Sequence, residues 1–153
     1  VVARHRDRLG DVEGQRALEL NPRRVEAWAV IGEAQEQLGN RSDAIAAFVR
    51  VTTAKPDVGE YWYKLGRVRI DAGQAGEGVS ALIRAADLGD AMSKRPPWLA
   101  DAHRLAGDGL RGRGDRAGAI RHYQRYLETA PAGGINNPSR RKAVCLSSSA
   151  RNA

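Results

Sequence analysis

Few residues in this sequence have the types and spacing to do covalent or metal chemistry. The histidines are His5, His103 and His122, the lone cysteine is Cys145, and serines run from Ser147 to Ser149. A zinc or similar site needs imidazole, thiolate or carboxylate ligands at a short, recurring spacing. None of the three histidines has such partners. A nucleophilic thiol needs a neighbouring base or cation to form its thiolate, and Cys145 has no evident base partner, while the serine run has no nucleophile context. One cysteine also excludes an internal disulfide. Gly107-Asp108-Gly109-Leu110-Arg111-Gly112 matches the phosphate-cradle pattern G-x-G-x-x-G. That cradle works only where a strand precedes it and a helix opens after it, and here it falls inside a helical pattern. The sequence implies no enzyme, no metal and no cofactor.

The helical pattern is the stronger signal. Between Val25 and Pro56 the chain carries two apolar stripes at i, i+3, i+4 spacing. One is Val25, Trp28, Ile31, Ala34 and Leu38; the other is Ala44, Ile45, Phe48 and Val51. Gly39-Asn40 separates them and Pro56 closes the second, which predicts two antiparallel amphipathic helices. Trp28 and Phe48 are the expected core. Asn40-Arg41-Ser42 has the form of a glycosylation sequon, but Asn40 stands where a helix needs a capping residue.

A shift of thirty-four residues superposes this unit on the next. Trp28 falls on Trp62, Ile31 on Leu65, Gly32 on Gly66, Gly39 on Gly73 and Phe48 on Leu82. After a seven-residue slip, Gly107, Gly114, Ala119, Tyr123, Tyr126 and Pro131 answer Gly32, Gly39, Ala44, Phe48, Val51 and Pro56. Upstream, Ala17 to Pro22 match the end of a further copy. This period, with its Trp, its Leu-Gly pair, its aromatic and its closing Pro, resembles the tetratricopeptide (TPR) repeat family over about Gly10 to Pro131, in the manner of a bacterial fragment. The departures are Gln35, Arg69 and Leu110 where an aromatic is usual, Gly78 where Ala is usual, and His103 in the Trp column. The resemblance implies an all-α fold of helical hairpins stacked into a short right-handed superhelix, an α-solenoid.

The expected divisions are a truncated repeat at 1–24 (second helix only), repeats at 25–57, 58–97 and 98–131, and a tail at 132–153. Helices are expected at Val1–Leu20 (better formed from Val12), Val25–Leu38, Ser42–Thr53, Val58–Asp71, Ala75–Leu88, Trp98–Arg111 and Arg116–Thr129, with no strand. Gly73, Gly76 and Gly78 should fray the start of the fifth of these. Pro96-Pro97 ends the lengthened linker, because proline forbids helix behind it and tolerates one ahead. The tail, rich in Gly, Ser, Asn and Arg, is expected to be mostly disordered, with Ser139 to Leu146 a short helical remnant. His103 is expected to be partly buried and His122 exposed.

The net charge of +7 is concentrated at the ends. Residues 25–133 hold fifteen bases and fourteen acids, whereas 134–153 hold four bases and no acid. Nucleic-acid readers concentrate charge on one folded face, so nucleic acid is not the expected partner, and Arg4, Arg6 and Arg8 read as a solvated face. No stretch approaches the roughly 20 apolar residues of a membrane span. The chain begins in mid-repeat and reads as a piece of something larger. Cytoplasmic residence is the default expectation, and the truncated first helix leaves self-association open.

In the family, first helices line the concave surface at columns beside the packing stripe. Carried onto this sequence, those columns are Glu26, Ala29, Glu33, Glu36 and Gln37, then Glu60, Tyr63, Arg67, Ile70 and Asp71, then Asp101, Arg104, Asp108, Arg111 and Gly112. They imply a protein-interaction scaffold that takes a peptide or helix of a partner protein in this groove, with Tyr63 and Arg67 at its centre. The chaperone-binding clamp of some members needs Lys and Asn where this chain has Ala29 and Glu33, so an acidic chaperone tail is not the expected ligand. The alternative is a recognition arm or spacer of a larger enzyme.

Overall fold

The computed structural model describes residues 21–131 and 137–151. Within them the chain forms seven helices: α1 (Pro22–Gln37), α2 (Arg41–Ala54), α3 (Gly59–Asp71), α4 (Ala75–Asp90), α5 (Leu99–Gly112), α6 (Arg116–Thr129) and α7 (Pro138–Arg151). No strand occurs among the described residues. The helix expected at Val1–Leu20 lies outside them. Each helix packs chiefly on its neighbours in sequence, α1 on α2 and so on to α6 on α7.

Local chemistry sets the boundaries. The Asn21 side chain caps α1 by accepting from Arg23 N–H at 3.1 Å, with Pro22 opening the first turn. The turns inside the three hairpins place Gly39, Gly73 and Gly114 at φ 78°, 80° and 83°. That is the left-handed region that favours glycine after a helix end. Asn40 sits at the cap position of α2, but its side chain donates instead to Gln35 Oε1 at 2.8 Å.

The repeat's packing glycines meet the residues that the period pairs them with. A Cβ on Gly32 would lie 2.9 Å from the Phe48 ring, one on Gly66 2.7 Å from Leu82 Cγ, and one on Gly107 2.9 Å from the Tyr123 ring. Gly107 is thereby a close-packing residue inside α5, as its column implies. Gly78 belongs to the same device: a Cβ there would strike Ile70 at 2.9 Å and the Gly66 carbonyl at 3.0 Å. This corrects the expected fraying, because α4 is helical from Ala75 and Gly78 is buried against α3. Gly66→Ala is the sharpest test of the approach, since the added methyl also meets the Gly78 carbonyl at 2.9 Å and backbone cannot swing aside. The overpacking should cost about 1–3 kcal/mol in a urea melt, whereas the exposed Gly76, with open space around it, should tolerate Ala.

Two expectations are corrected by the packing. The apolar stripe expected in α1 includes Ile31, Ala34 and Leu38, but Ile31 is 42% and Leu38 73% exposed, and Ala34 is exposed too. The buried face is Val25, Ala29 and Gly32, packed with Val51 of α2. Leu65, in the column of Ile31, is buried because Phe48 and Ala44 of the preceding hairpin cover it. No described helix stands on that side of α1. The second correction concerns the tail, expected to be mostly disordered: the short helix expected at Ser139–Leu146 is present and extends over fourteen residues. Asn137 Oδ1 accepts from Ser139 N–H at 3.0 Å, and Pro138 occupies the first helical position. Ala143 is fully buried and Leu146 partly so against α6. Composition suggested a solvated chain; a cap and one small-residue face are enough to dock a helix on an existing array.

Candidate functional site

The first helices of successive hairpins, α1, α3 and α5, and then α7, are tied to one another by polar side chains. Lys64 of α3 bonds Glu33 of α1 and also Glu60 of its own helix, the latter at 3.0 Å. Arg67 grips Glu36 with both prongs, Nε to Oε1 at 3.0 Å and Nη2 to Oε2 at 2.7 Å. Tyr63 Oη donates to Asp101 Oδ2 on α5 at 2.8 Å, and its ring stacks on Trp98 at 5.8 Å. The Arg67 guanidinium lies 5.5 Å from the Tyr63 ring centre, within cation–π range. On α5, Arg104 bridges Asp101 and Asp108. Asp108 Oδ1 then accepts from Lys142 Nζ of α7 at 2.8 Å and from Tyr123 Oη at 2.7 Å.

These contacts explain the electrostatics. Lys142, Tyr123 and Arg104 together hold the Asp108 carboxyl below its ordinary range against the opposing effect of burial. Burial and the Asp108 carboxylate push the Tyr123 hydroxyl far up. Tyr63 is raised by burial and by Asp101, with Arg67 opposing. The carboxylates and cations of this face are thus paired with one another across successive helices.

Most residues assigned to the groove do share this face. Glu33, Glu36, Gln37, Lys64 and Arg67 line a depression of about 470 Å³. Glu60, Tyr63, Asp101, Arg104 and Asp108 carry the bonds just described, while Glu26, Asp71 and Arg111 are exposed. Two assignments are corrected. Ala29 is 6% exposed and belongs to the α1–α2 core. Ile70 is half-buried, packed on Gly78 and on the cluster around Val79 and Leu110. Tyr63 is anchored on α5 rather than left open, because its hydroxyl and its ring both find partners there.

A second polar cluster is not visible as a unit in the sequence. His103 of α5 is 2% exposed, and its Nδ1 lies 3.0 Å from Nδ1 of His122 on α6. Its Nε2 is 3.3 Å from Asp90 Oδ2 at the end of α4 without hydrogen-bond geometry, and Asp90 is also bound by Arg125 of α6. The expectation that His122 is exposed is corrected: it is half-buried. The repeat held the signal, since its column contains Ala47 and Ala81, both buried. Among the described residues no group of three or more His, Cys, Asp or Glu side chains has metal-holding geometry, and no helix is long and apolar enough to cross a membrane.

Stacked antiparallel helix pairs, each touching mainly its sequence neighbours, define a helical-repeat solenoid. The tetratricopeptide repeat profile matches residues 15–57 and 31–94, more than half of the chain. The chain belongs to the tetratricopeptide repeat family, and its hairpins form that family's short right-handed superhelix. Among solved structures it is similar to MamA, with 21% identity, a TM-score of 0.64 and coverage of 91% of this chain and 83% of that one. It is also similar to the first TPR domain of Spaghetti (RPAP3), bound to the HSP90 peptide SRMEEVD, with 16% identity, TM-score 0.68 and coverage of 87% and 97%. The TPR2B domain of yeast Sti1, in a complex with pHsp70, shows 13% identity, TM-score 0.62 and coverage of 84% and 94%. At these identities the likeness is one of fold. No curated protein matches the chain.

Proposed function

We infer that this chain is a non-catalytic protein-interaction scaffold that holds a peptide or helix of a partner protein along the face of α1, α3 and α5. The carrying observation is the depression of about 470 Å³ where Glu33, Glu36, Gln37, Lys64 and Arg67 meet, beside the Tyr63–Arg67 pair. Two family members of like fold hold chaperone ligands, which supports the class of function. The ligand's chemistry differs, because Ala29 and Glu33 replace the clamp's Lys and Asn, and the carboxylates of the depression are matched by Lys64 and Arg67.

A partner segment with charges of both signs fits this face, since it can exchange with the Glu33–Lys64 and Glu36–Arg67 pairs without stranding a charge. A uniformly acidic or uniformly basic segment would leave one sign of the depression unpaired. The test begins with partner capture on the full chain, followed by affinity measurement against Arg67→Gln. Loss of about 1 kcal/mol or more with an unchanged melting curve supports the site. Tyr63→Phe, which keeps the ring and removes only the bond to Asp101, should bind nearly as well. Equal affinity of Arg67→Gln and the parent chain would move the site to another face.

A further inference from the structure

The seven residues by which the second repeat exceeds its period build a cleft at the edge of the first-helix face, with which it shares Glu60 and the Trp98 that stacks on Tyr63. Val58 and Gly59 at the start of α3, Leu88 near the end of α4, and Met92, Pro96, Pro97 and Trp98 enclose about 410 Å³. Met92 is 51% exposed. The charged residues lining it are both acids, Asp57 and Glu60, near one another in sequence. Glu60 is shared with Lys64; Arg95 is turned away and donates to the Glu128 carbonyl on α6 at 3.1 Å. Asp57 adds one full carboxylate and Glu60 one shared with Lys64, against the roughly half positive charge of the α3 N-terminus, so the cleft is an apolar slot with an acidic rim.

The chain carries the complement of this slot. On α7, Val144 is 47% exposed beside the exposed Cys145, and both line a shallow apolar surface with Arg140 and Arg141. Spacing of i, i+4 sets the two guanidinium groups one turn N-terminal to the apolar pair on one helix face. The opposite face, Ala143 and Ser147, is buried against the array. No acid lies between residues 134 and 153, so α7 brings no carboxylate of its own to a contact.

We propose that the α7 outer face of one molecule docks in the Met92–Trp98 cleft of a second copy of this chain, with Val144 and Cys145 in the slot and Arg140 and Arg141 on Asp57 and Glu60. The contact joins two different surfaces, so it is heterologous and propagates head to tail. One helical turn against one cleft is a small interface, which makes the association weak and concentration-dependent, and its rim charges make it weaken with salt. It is a different contact from the one inferred at Glu33, Glu36, Lys64 and Arg67.

Cross-linking of full chains tests it. A Met92→Cys, Cys145→Ser chain, carrying a size tag, is mixed with the unaltered chain under mild oxidation. The thiol introduced in the cleft of one molecule should form a disulfide with Cys145 of the other. It should do so at least about tenfold faster than Cys145 joins Cys145 between two unaltered chains. Arg140→Glu, Arg141→Glu in the Cys145 chain should abolish the preference, and Asp57→Lys, Glu60→Lys in the cleft chain should restore it. Helical content by circular dichroism checks these variants, and Arg140→Gln, Arg141→Gln serve if charge reversal unfolds α7. Equal rates for the two disulfides, or a mixed disulfide indifferent to the charge changes, would overturn the proposal.

Discussion

Phe48→Ala should remove about 3–5 kcal/mol of stability, the range for truncating a large aromatic in a close-packed core. The ring is fully buried, lies over the bare Cα of Gly32, and packs with Ala44, Leu65, Val68 and Ala81. It therefore lies against Gly32 of α1 and in one cluster with residues of α2, α3 and α4, joining two hairpins at once. No neighbour can collapse into the vacated space without drawing α1 across the glycine. Since whole domains are stable by only about 5–15 kcal/mol, this one change should bring the array close to unfolding. Repeats couple mainly to their neighbours, so hydrogen exchange should quicken first in α1 and α2 and least in α6. Trp28→Ala should cost less, because that indole is half-buried and rests partly under the Arg50 guanidinium at 4.5 Å. Leu38→Ala, at 73% exposure, should stay within about 0.5 kcal/mol. If Leu38→Ala cost as much as Phe48→Ala in urea melts, this packing would be wrong.

The contrast between Phe48 and Leu38 shows what sequence periodicity conveys. A column shared by Phe48, Leu82 and Tyr123 and a glycine column facing it specify a contact, because two residue types repeat together at one period. The limits of α6, Arg116–Thr129, follow from the same register. A stripe within one helix says less. Ile31 and Leu38 belong to the apolar period, yet burial depends on whether a neighbour covers them, and a neighbour is a property of the array. The full length of the helix at Pro138, beyond the expected Ser139–Leu146, was obscured for another reason: it contributes few apolar side chains, and its docking depends on Ala143 being small and on Asn137-Pro138 starting it cleanly.

The first-helix face was legible as a set of columns, and Ala29 and Ile70 were misplaced within it because one-residue steps decide between core and surface on a helix. Its pairing was hidden by distance along the chain. Glu33 to Lys64 and Glu36 to Arg67 are both thirty-one residues apart, an offset between adjacent first helices that charge columns could have exposed. These pairs also change what Tyr63 means. An aromatic outside the hairpin's packing stripe suggested an open anchor; the structure uses it to bind α3 to α5.

Acidification should destabilise the third hairpin in two separate steps, the first through the His103–His122 pair. The two Nδ1 atoms face each other at 3.0 Å, so one must donate and the other accept. With the Asp90 carboxylate 3.3 Å from Nε2 of His103, the proton is best placed on that nitrogen, leaving Nδ1 of His103 to accept from His122. The groups facing the pair are Asp87 and Asp90 of α4 and Arg121 and Arg125 of α6. Burial is the largest influence on both imidazoles and holds both below the ordinary value of 6.5; Asp90 opposes it at His103, while His103 itself adds to it at His122. The unfolded chain thus takes up protons at a higher pH than the folded one. Stability is full above 6.5 and is lost as pH falls below it, since doubly protonated rings would set two cations against each other in a buried site. The second step lies lower. Asp90 and Asp108 are held below 3.8 by their cationic partners, so their contribution persists above that value and disappears beneath it. Urea melts from about pH 8 to about pH 5 should show falling stability, with hydrogen exchange quickening in α5 and α6 before α1 and α2. His103→Gln should flatten that slope while leaving the carboxylate step below it in place. A slope unchanged in His103→Gln would show that the histidine pair does not carry the linkage.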